Sequence, residues 1–592
     1  MRKRLLCLIA LFAAINSFAS IVYVDINATG AENGSSWNDA FVNLHHGLNN
    51  ANQGDSIWVA QGVYLPSDDS TRNVYFQVVF DSIYLFGGFA GNETSLDQRD
   101  FISNQTILSG DLYGNDNPSI DPDETTRSDN TYHVLYVGGV KNTVIDGFTI
   151  TGGNGNSSAW PNNQGGGIYL SEHAGDIKIL NCNITKNSSS GALAAIRTKY
   201  TQNEYREFVL DNCLITNNTT ANVVTGVTLT GGSGLALVSN CLFANNKIED
   251  NSQYTGKGGS AIRFYQASND VLDVQMTNCT VISNVEDGTN PSPIVVGEAS
   301  GIINFLASNN LVDNNTNATS TFGTGVVSNC PNTVELINNI RPDHSTTFCN
   351  GTSNGEFHGS PQLGTDYVPT DNSPAVNAGN NLYVLGSYDY YGTNRIESGT
   401  VDIGAFESVQ SCAITGVSID SVYCSTSGSS YSVDLTVTYE YAPSGGTLEF
   451  DGAGVAESFS IDGSPQMITV NNISESESPN FDLHFSNEAT CSYSDNNAWT
   501  VPNCNTTGVS NILNSVNYSV YPNPGNGVFQ LEIEGDIESY NAQVFNLLGE
   551  MVFESRIQSS LTTINLDRFT NGVYLLQISD GQNVYTEKLI KR

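Results

Sequence analysis

One short phrase returns six times between Leu180 and Ile340: Asn181-Cys182, Asn212-Cys213, Asn240-Cys241, Asn278-Cys279, Asn309-Asn310 and Asn338-Asn339. The steps are 31, 28, 38, 31 and 29 residues, and a period of roughly 20 to 50 residues marks a stacked-repeat protein. Two places after each Cys, or the Asn that replaces it, stands an apolar residue: Ile184, Ile215, Phe243, Val281 and Val312. Five places after it stands another Asn: Asn187, Asn218, Asn246, Asn284 and Asn315. Alternation closed by a polar turn residue reads as a short strand and its turn. A second strand aligns upstream, where Ile168 and Val227 lie 14 residues before their Cys and Ile196 and Ile262 lie 17 before theirs. Each repeat therefore reads strand, turn, strand, turn. It has too little apolar face to fold alone, and stacking the repeats in register gives a parallel β-helix.

Rungs about 4.8 Å apart let the Asn side chains of one column hydrogen-bond along the stack. The Cys column fits as a small buried hydrophobe. In-register neighbours have parallel Cβ vectors, which disfavours a disulfide, and Zn needs ligands that converge, which a column does not supply. Asp146 falls in the Asn column, so it reads as a ladder residue rather than a catalytic acid.

Met1 to about Ala19 has the form of a secretory leader: Arg2-Lys3-Arg4, an apolar run from Leu5 to Ile15, then Ser17-Phe18-Ala19. No later run is long enough to span a membrane. The chain carries a net charge of −38, which excludes nucleic acid and anionic membranes as partners and keeps a secreted chain soluble. A helix is expected from Trp37 to Ala51, with Ser35 or Ser36 as N-cap and Ala40, Phe41, Leu44, Leu48 and Ala51 on one face, capping the open end of the stack. An acidic loop between 109 and 130 holds Asp111, Asp116, Asp121 and Asp123, oxygen ligands of the kind calcium takes. Calcium is the one cofactor the sequence suggests, and a solvated surface loop is the alternative. Cys330 and Cys349 are expected to close a loop.

Several phrases resemble the pectin-lyase-like right-handed β-helix proteins of bacterial surfaces: Ile57-Trp58-Val59-Ala60, Phe86-Gly87-Gly88-Phe89-Ala90-Gly91, Ile145-Asp146-Gly147-Phe148-Thr149-Ile150 and Ser373-Pro374-Ala375-Val376-Asn377-Ala378-Gly379. Val401-Asp402-Ile403-Gly404-Ala405-Phe406-Glu407 resembles the closing motif of the choice-of-anchor group. The resemblance implies fold and architecture over about residues 20–408 and is silent on activity. Residues 409–505 alternate over Tyr431 to Tyr441 and hold Cys412, Cys424, Cys491 and Cys504, which reads as a small immunoglobulin-like or fibronectin-like β-sandwich with two disulfides of undetermined pairing. Residues 518–592 carry Tyr521-Pro522-Asn523-Pro524, Val544 to Gly549, Gly572 with Tyr574, and the basic end Lys588, Lys591 and Arg592. These blocks resemble the C-terminal sorting domain of the type IX secretion system. The resemblance implies export through that translocon to the outer-membrane surface or the medium. The expected architecture is all-β: a solenoid followed by two small sandwiches.

No nucleophile-and-base motif, phosphate loop or acid pair stands out in the repeats. The alignment places Tyr169, Arg197, Thr228 and Arg263 in one outward column, with Trp160 and Tyr265 near in sequence. Aromatic plates and arginines suit sugars, through stacking and through hydrogen bonds to hydroxyls or carboxylates. The expectation is a glycan- or surface-binding, adhesin-like protein without catalysis. The alternative is a polysaccharide lyase or glycosidase acting in the β-helix groove.

Overall fold

The computed structural model describes residues 20–171, 175–191, 194–198, 205–221, 225–230, 233–249, 259–266, 270–285, 292–298, 301–316, 318, 322–323, 333–342, 351–397, 399–408, 412–425, 430–443, 445–504, 517–534, 540–579 and 584–592. The leader, Cys330 and Cys349 lie outside these residues. The chain divides into two compact units, Met1–Cys412 and Ala413–Arg592.

The first unit is a parallel β-helix. Three sheets run its length: an eleven-stranded first sheet from Ile21–Val24 to Gly351–Asn354, a ten-stranded second sheet from Gly62–Tyr64 to Phe357–His358, and an eight-stranded third sheet from Phe76–Val78 to Phe322–Gly323. All their pairings are parallel, and the register is the one the apolar spacing requires. Ile150, Ile184, Ile215, Phe243, Val281 and Val312 form one buried column. Ile168, Ile196, Val227 and Ile262 form another.

The sequence showed two strands per rung; the structure has three along its length and, from Asn154–Gly155 to Lys247–Ile248, a fourth short one that forms a small parallel sheet of its own. The unread strand of the three is the one before each Asn-Cys, such as Ile177–Leu180 or Ser233–Ser239. It is hidden because its corner is a single residue. Asn181, Asn212, Asn240, Asn278, Asn309 and Asn338 all have φ between 50° and 57°, the left-handed conformation that Asn tolerates better than other non-glycine residues. One such residue turns the chain from the first sheet into the second without an interval of polar sequence.

Two side-chain ladders fix the stack. In the column Asn187, Asn218, Asn246, Asn284 and Asn315, each Oδ1 accepts a backbone N–H of the rung before, at 3.0, 3.0, 3.2, 3.0 and 3.0 Å. Each Nδ2 donates to a carbonyl such as Ile184 O, at 3.0 Å from Asn218. The cysteine column does the same work more weakly. Cys182 N–H points to Cys213 Sγ at 3.4 Å, whereas Cys279 N–H meets Asn310 Oδ1 at 2.9 Å and Asn310 N–H meets Asn339 Oδ1 at 2.9 Å. Cys182, Cys213, Cys241 and Cys279 are buried free thiols. Glu356 ends this column, accepting from Asn339 N–H at 3.2 Å and from Arg341 Nε at 2.8 Å.

At the N-terminal end the helix is only Leu44–Asn50, and its N-cap is Asn43, whose side chain accepts from His45 N–H at 2.8 Å. The expected start at Trp37 is wrong because Phe41 bridges to Val24 as backbone of the first rung. Ala40, Phe41, Leu44, Leu48 and Ala51 are all buried, but only Leu44 and Leu48 lie on the helix.

After the last rungs the chain turns back along the stack. Residues 378–389 lie on the left-handed asparagines: Asn338 Nδ2 donates to Ala378 O at 3.3 Å, Asn309 Nδ2 to Asn380 O at 3.0 Å, Asn240 Nδ2 to Leu385 O at 2.8 Å and Asn212 Nδ2 to Asp389 O at 3.4 Å. This strap covers the outward apolar face of the second sheet, where Leu242, Ala244 and Ile282 pack on Tyr390, Ala405 and Phe406. Beneath it Arg395 is fully buried. Its Nη1 and Nη2 donate to Ala405 O and Gly404 O at 2.9 and 3.0 Å, and Nη2 lies 3.2 Å from Glu407. Asp389 and Asp402 crowd the same guanidinium. Burial pushes the Glu407 carboxyl up to about 8, against the opposing pull of Arg395.

The second unit holds two pairs of antiparallel sheets. Ala413–Cys424, Ser430–Glu440 and Gln466–Ser474 form a three-stranded sheet, and the four strands between Thr447 and Asp495 form its companion. Tyr431, Val433, Leu435, Leu448, Phe450 and Leu483 are buried. Cys424 and Cys504 form a disulfide with a Cα–Cα distance of 5.5 Å, and Cys412 and Cys491 are also disulfide-bonded. Residues 517–591 repeat the layout with three strands and four, around Phe529, Leu531, Val544, Leu576 and Leu589.

Two outcomes test these assignments. Asn218→Ala strands buried backbone groups on two rungs and lowers stability by about 3 kcal/mol. The neighbouring Asn217→Gly keeps an exposed left-handed corner and changes it by less than about 0.5 kcal/mol. Denaturation midpoints compare the two. Glu407 has a raised folded pKa, so its contribution is complete below the unfolded value of about 4.3 and is lost as pH rises through about 8. Glu407→Gln therefore shows a smaller fall in Tm than the parent between about pH 5 and pH 9.

Candidate functional site

The outward side of the third sheet carries one continuous column: Gln77, Tyr136, Tyr169, Arg197, Thr228, Arg263 and Val295. These residues flank the buried column of Ile168, Ile196, Val227 and Ile262, so alternation in the strand points them outward. The spacing in the sequence thus places Arg197 and Arg263 correctly, on the order of 10 Å apart with one rung between. Thr230 pairs in register with Tyr265, which stands in the next outward column.

The column begins as a stack of rings. Tyr75 and Tyr136 have centroids 5.1 Å apart, and Tyr136 and Tyr169 are 5.4 Å apart and nearly parallel at 6°. Arg197 continues the stack, its guanidinium carbon 4.5 Å from the Tyr169 centroid and 6.0 Å from that of Trp160. Its Nε donates to Gln164 Oε1 at 3.0 Å. His133 packs edgewise on this group, 4.8 Å from Tyr169, with Nδ1 3.0 Å from Gly165 O. Burial lowers the His133 pKa to about 4, so it is neutral at pH 7 and donates from Nδ1 to that carbonyl.

Exposure divides the candidates. Tyr169 and Arg197 are buried beneath the segment that carries Trp160 and Gln164, whereas Trp160 itself is 60% exposed. Arg263 and Tyr265 are half-buried, with the guanidinium carbon 4.7 Å from the ring centroid. Desolvation pulls the Arg263 pKa below its usual value. Its Nε is buried with no hydrogen-bond partner, as is the Oγ1 of Thr228 one rung away. Among the described residues Arg263 makes no ion pair. Sequence reasoning missed Tyr75, Tyr136, His133 and Gln164. Tyr136 could have been found, because it stands 33 residues before Tyr169 at the repeat spacing.

The acidic loop is organised by an arginine. Arg127 is buried at its centre, with Nη1 2.8 Å from Asp116 and Nη2 donating to Gly153 O and Lys186 O at 3.2 and 2.9 Å. Asp111 accepts the N–H groups of Asn115 and Asp116, and Asp121 accepts that of Asp123. Among the described residues no group of three or more His, Cys, Asp or Glu is placed to hold a metal ion. Asp146 is a ladder residue: Asn181 Nδ2 donates to it at 2.8 Å and Arg99 pairs with it at 2.6 Å.

In the C-terminal sandwich the candidate address residues serve the fold in different ways. Asn523 hooks the last strand, accepting Ile590 N–H at 2.9 Å and donating to Lys588 O at 2.5 Å. Lys591 is buried and caps three carbonyls, Leu566 O, Asp567 O and Phe569 O, at 3.2, 3.2 and 2.5 Å. Tyr574 is buried, and its hydroxyl donates to Thr570 O at 2.6 Å. Lys588, Arg592 and Tyr521 are exposed. Gly549 takes φ 79° in a turn that leaves Leu547 and Leu548 exposed.

Residues 519–592 match the family described as the secretion system C-terminal sorting domain. This tail is a type IX sorting domain. It directs export to the cell surface or the extracellular space. Among the described residues no helix is long and apolar enough to cross a membrane. A curated relative, Ulvan lyase NLR42 of Nonlabens ulvanivorans, is 38% identical over 73 residues, which is 12% of this chain and only 14% of that protein. Among solved structures, pectate lyase Pel9A aligns at 12% identity and a TM-score of 0.36, over 66% of this chain and 97% of the other. Tailspike protein 2 of Escherichia coli O157:H7 bacteriophage CAB120 aligns at 9% identity and a TM-score of 0.23, over 82% and 69%. Likenesses this loose add nothing to the sheets described above.

Proposed function

We propose that the exported protein holds glycans on the outward face of its third sheet and does not cleave them. The observation that carries this reading is Arg263. A half-buried guanidinium, stacked on Tyr265, with its Nε buried and unpartnered and without an ion pair among the described residues, is costly unless something else meets it. A sugar hydroxyl or carboxylate supplies that partner, and Tyr265 offers a ring to a pyranose face. Trp160, exposed beside Arg197 in the turn segment before Ile168–Leu170, is a second plate next to that sheet. Tyr169 and Arg197 act as the rigid foundation, since a ligand meets little of their surface.

In this reading residues 1–19 are the leader, 20–408 the binding solenoid, 409–505 a spacer sandwich and 518–592 the address. The partners are the type IX translocon during export and a surface or extracellular polysaccharide afterwards.

The test is affinity electrophoresis and product analysis of the purified protein on acidic and neutral polysaccharides, with and without calcium. Retention on a glycan is expected with no unsaturated product or new reducing end, and Arg263→Ala weakens retention at least tenfold, about 1.4 kcal/mol. Product release abolished by Arg197→Ala or Arg263→Ala identifies a lyase or glycosidase instead. Absence of retention on every glycan removes the binding reading.

A further inference from the structure

A cleft of about 410 Å³ opens between the second sheet and the loop of residues 360–367 that precedes the strap, a size typical of small-molecule sites (about 300–1,000 Å³). Asp313 and Asn314 line one wall, Gln362, Leu363 and Tyr367 the other, over Ile282. We propose that this cleft is a second saccharide site, separate from the third-sheet face, and that it takes an uncharged pyranose.

The far wall is rigid. Tyr367 N–H donates to Gly364 O at 3.1 Å, Gly364 N–H to Val368 O at 2.9 Å and Thr370 N–H to Gln362 O at 3.0 Å, which closes this short loop on itself. Asn245 Nδ2 donates to the Tyr367 hydroxyl at 3.0 Å, and the ring packs against the apolar group of Leu242, Ala244 and Ile282. Two residues of this wall hold unfavourable backbone conformations, Gln362 at φ 47° and Tyr367 at φ 68°. For a ring as bulky as tyrosine that is an outlier, and such strain gathers at ligand sites. The loop holds it where a glycine would relieve it.

The near wall supplies the polar groups. The Asp313 carboxyl is half-buried, and its pKa is pushed up by burial against a single opposing hydrogen bond from Asn314 N–H. It is left to accept from, or when protonated donate to, a sugar hydroxyl. Gln362 and Asn314 present amides, which both donate and accept. A fixed aromatic ring, an apolar floor and three hydroxyl-reading side chains are the elements that grip a pyranose. Among the described residues no lysine or arginine lines the cleft. A carboxylated or sulfated sugar would face Asp313 without a counter-charge, in a chain of net charge −38.

Saturation-transfer NMR and calorimetric titration of the purified protein test this with cellobiose, maltose and N-acetylglucosamine, beside glucuronate and glucosamine. Saturable binding of at least one neutral sugar is expected. It weakens at least tenfold in Asp313→Ala and again in Gln362→Gly, a change that keeps the backbone conformation and removes the amide, with Tm checked for each. Repeating the titration in an Arg263→Ala background separates this cleft from the third-sheet site, so that either can fail alone. The proposal is overturned by no neutral sugar binding, by binding confined to glucuronate or glucosamine, or by binding that survives Gln362→Gly and Asp313→Ala together.

Discussion

The rest of the solenoid depends on one repeated hydrogen bond, in which a side-chain oxygen on one rung accepts the backbone N–H at the equivalent corner of the rung before. At a corner the sheet ladder is broken, and a buried N–H without a partner costs about 1–3 kcal/mol. The column from Asn187 to Asn315 answers that cost with an amide oxygen at every step. Because the same side chain also donates to a carbonyl, a slip by one residue would break bonds on both rungs. The ladder thus sets register as well as stability, and register is what brings Tyr169, Arg197, Thr228 and Arg263 into one line. The parallel column shows the limits of substitution: sulfur serves at Cys213 with a 3.4 Å approach, and Asn310 does the same work at 2.9 Å.

The left-handed asparagines have a second use. Their side chains leave the stack and receive the returning strap from Ala378 to Asp389. The phrase that closes the domain, Val401 to Glu407, then sits over the same rungs, with Ala405 N–H on Thr280 Oγ1 at 2.9 Å. The second sheet is thereby covered, whereas outward residues of the first sheet such as Lys178, Asp273 and Glu335 meet solvent. The loop of residues 360–367, which precedes the strap, forms the other wall of the cleft at Asp313. One set of corners therefore governs which face is closed.

Much of this was legible in the sequence, for reasons that can be named. The Asn and Cys columns were visible because each carries an identical chemical duty on every rung. The apolar columns at Ile184 and Ile168 were visible because the core repeats. The strand before each Asn-Cys was not, because a one-residue corner such as Asn181 leaves no polar gap. The helix was read too long because Phe41 is buried both in a helix pattern and in the rung it joins. The outward column was found by alignment, but its burial was not: Arg197 is covered by Gln164, 33 residues away, and nothing periodic announces that. The strap was beyond reach of pattern, since its partners lie 40 to 177 residues off. In the tail, Lys591 looked like an exposed basic end, yet its ammonium caps three buried carbonyls.

Hydrogen exchange followed by mass spectrometry is the most direct check on the account, because it reads the corner amides themselves. The account predicts that peptides spanning Asn187, Asn218, Asn246 and Asn284 exchange as slowly as the sheet strands. It also predicts that the strap from Asn377 to Ala405 is protected, with its amides at Asn380, Gly404 and Ala405 slowest. Exchange of the corner amides at the rate of open loops, or a strap that exchanges freely while the sheets stay protected, would contradict it.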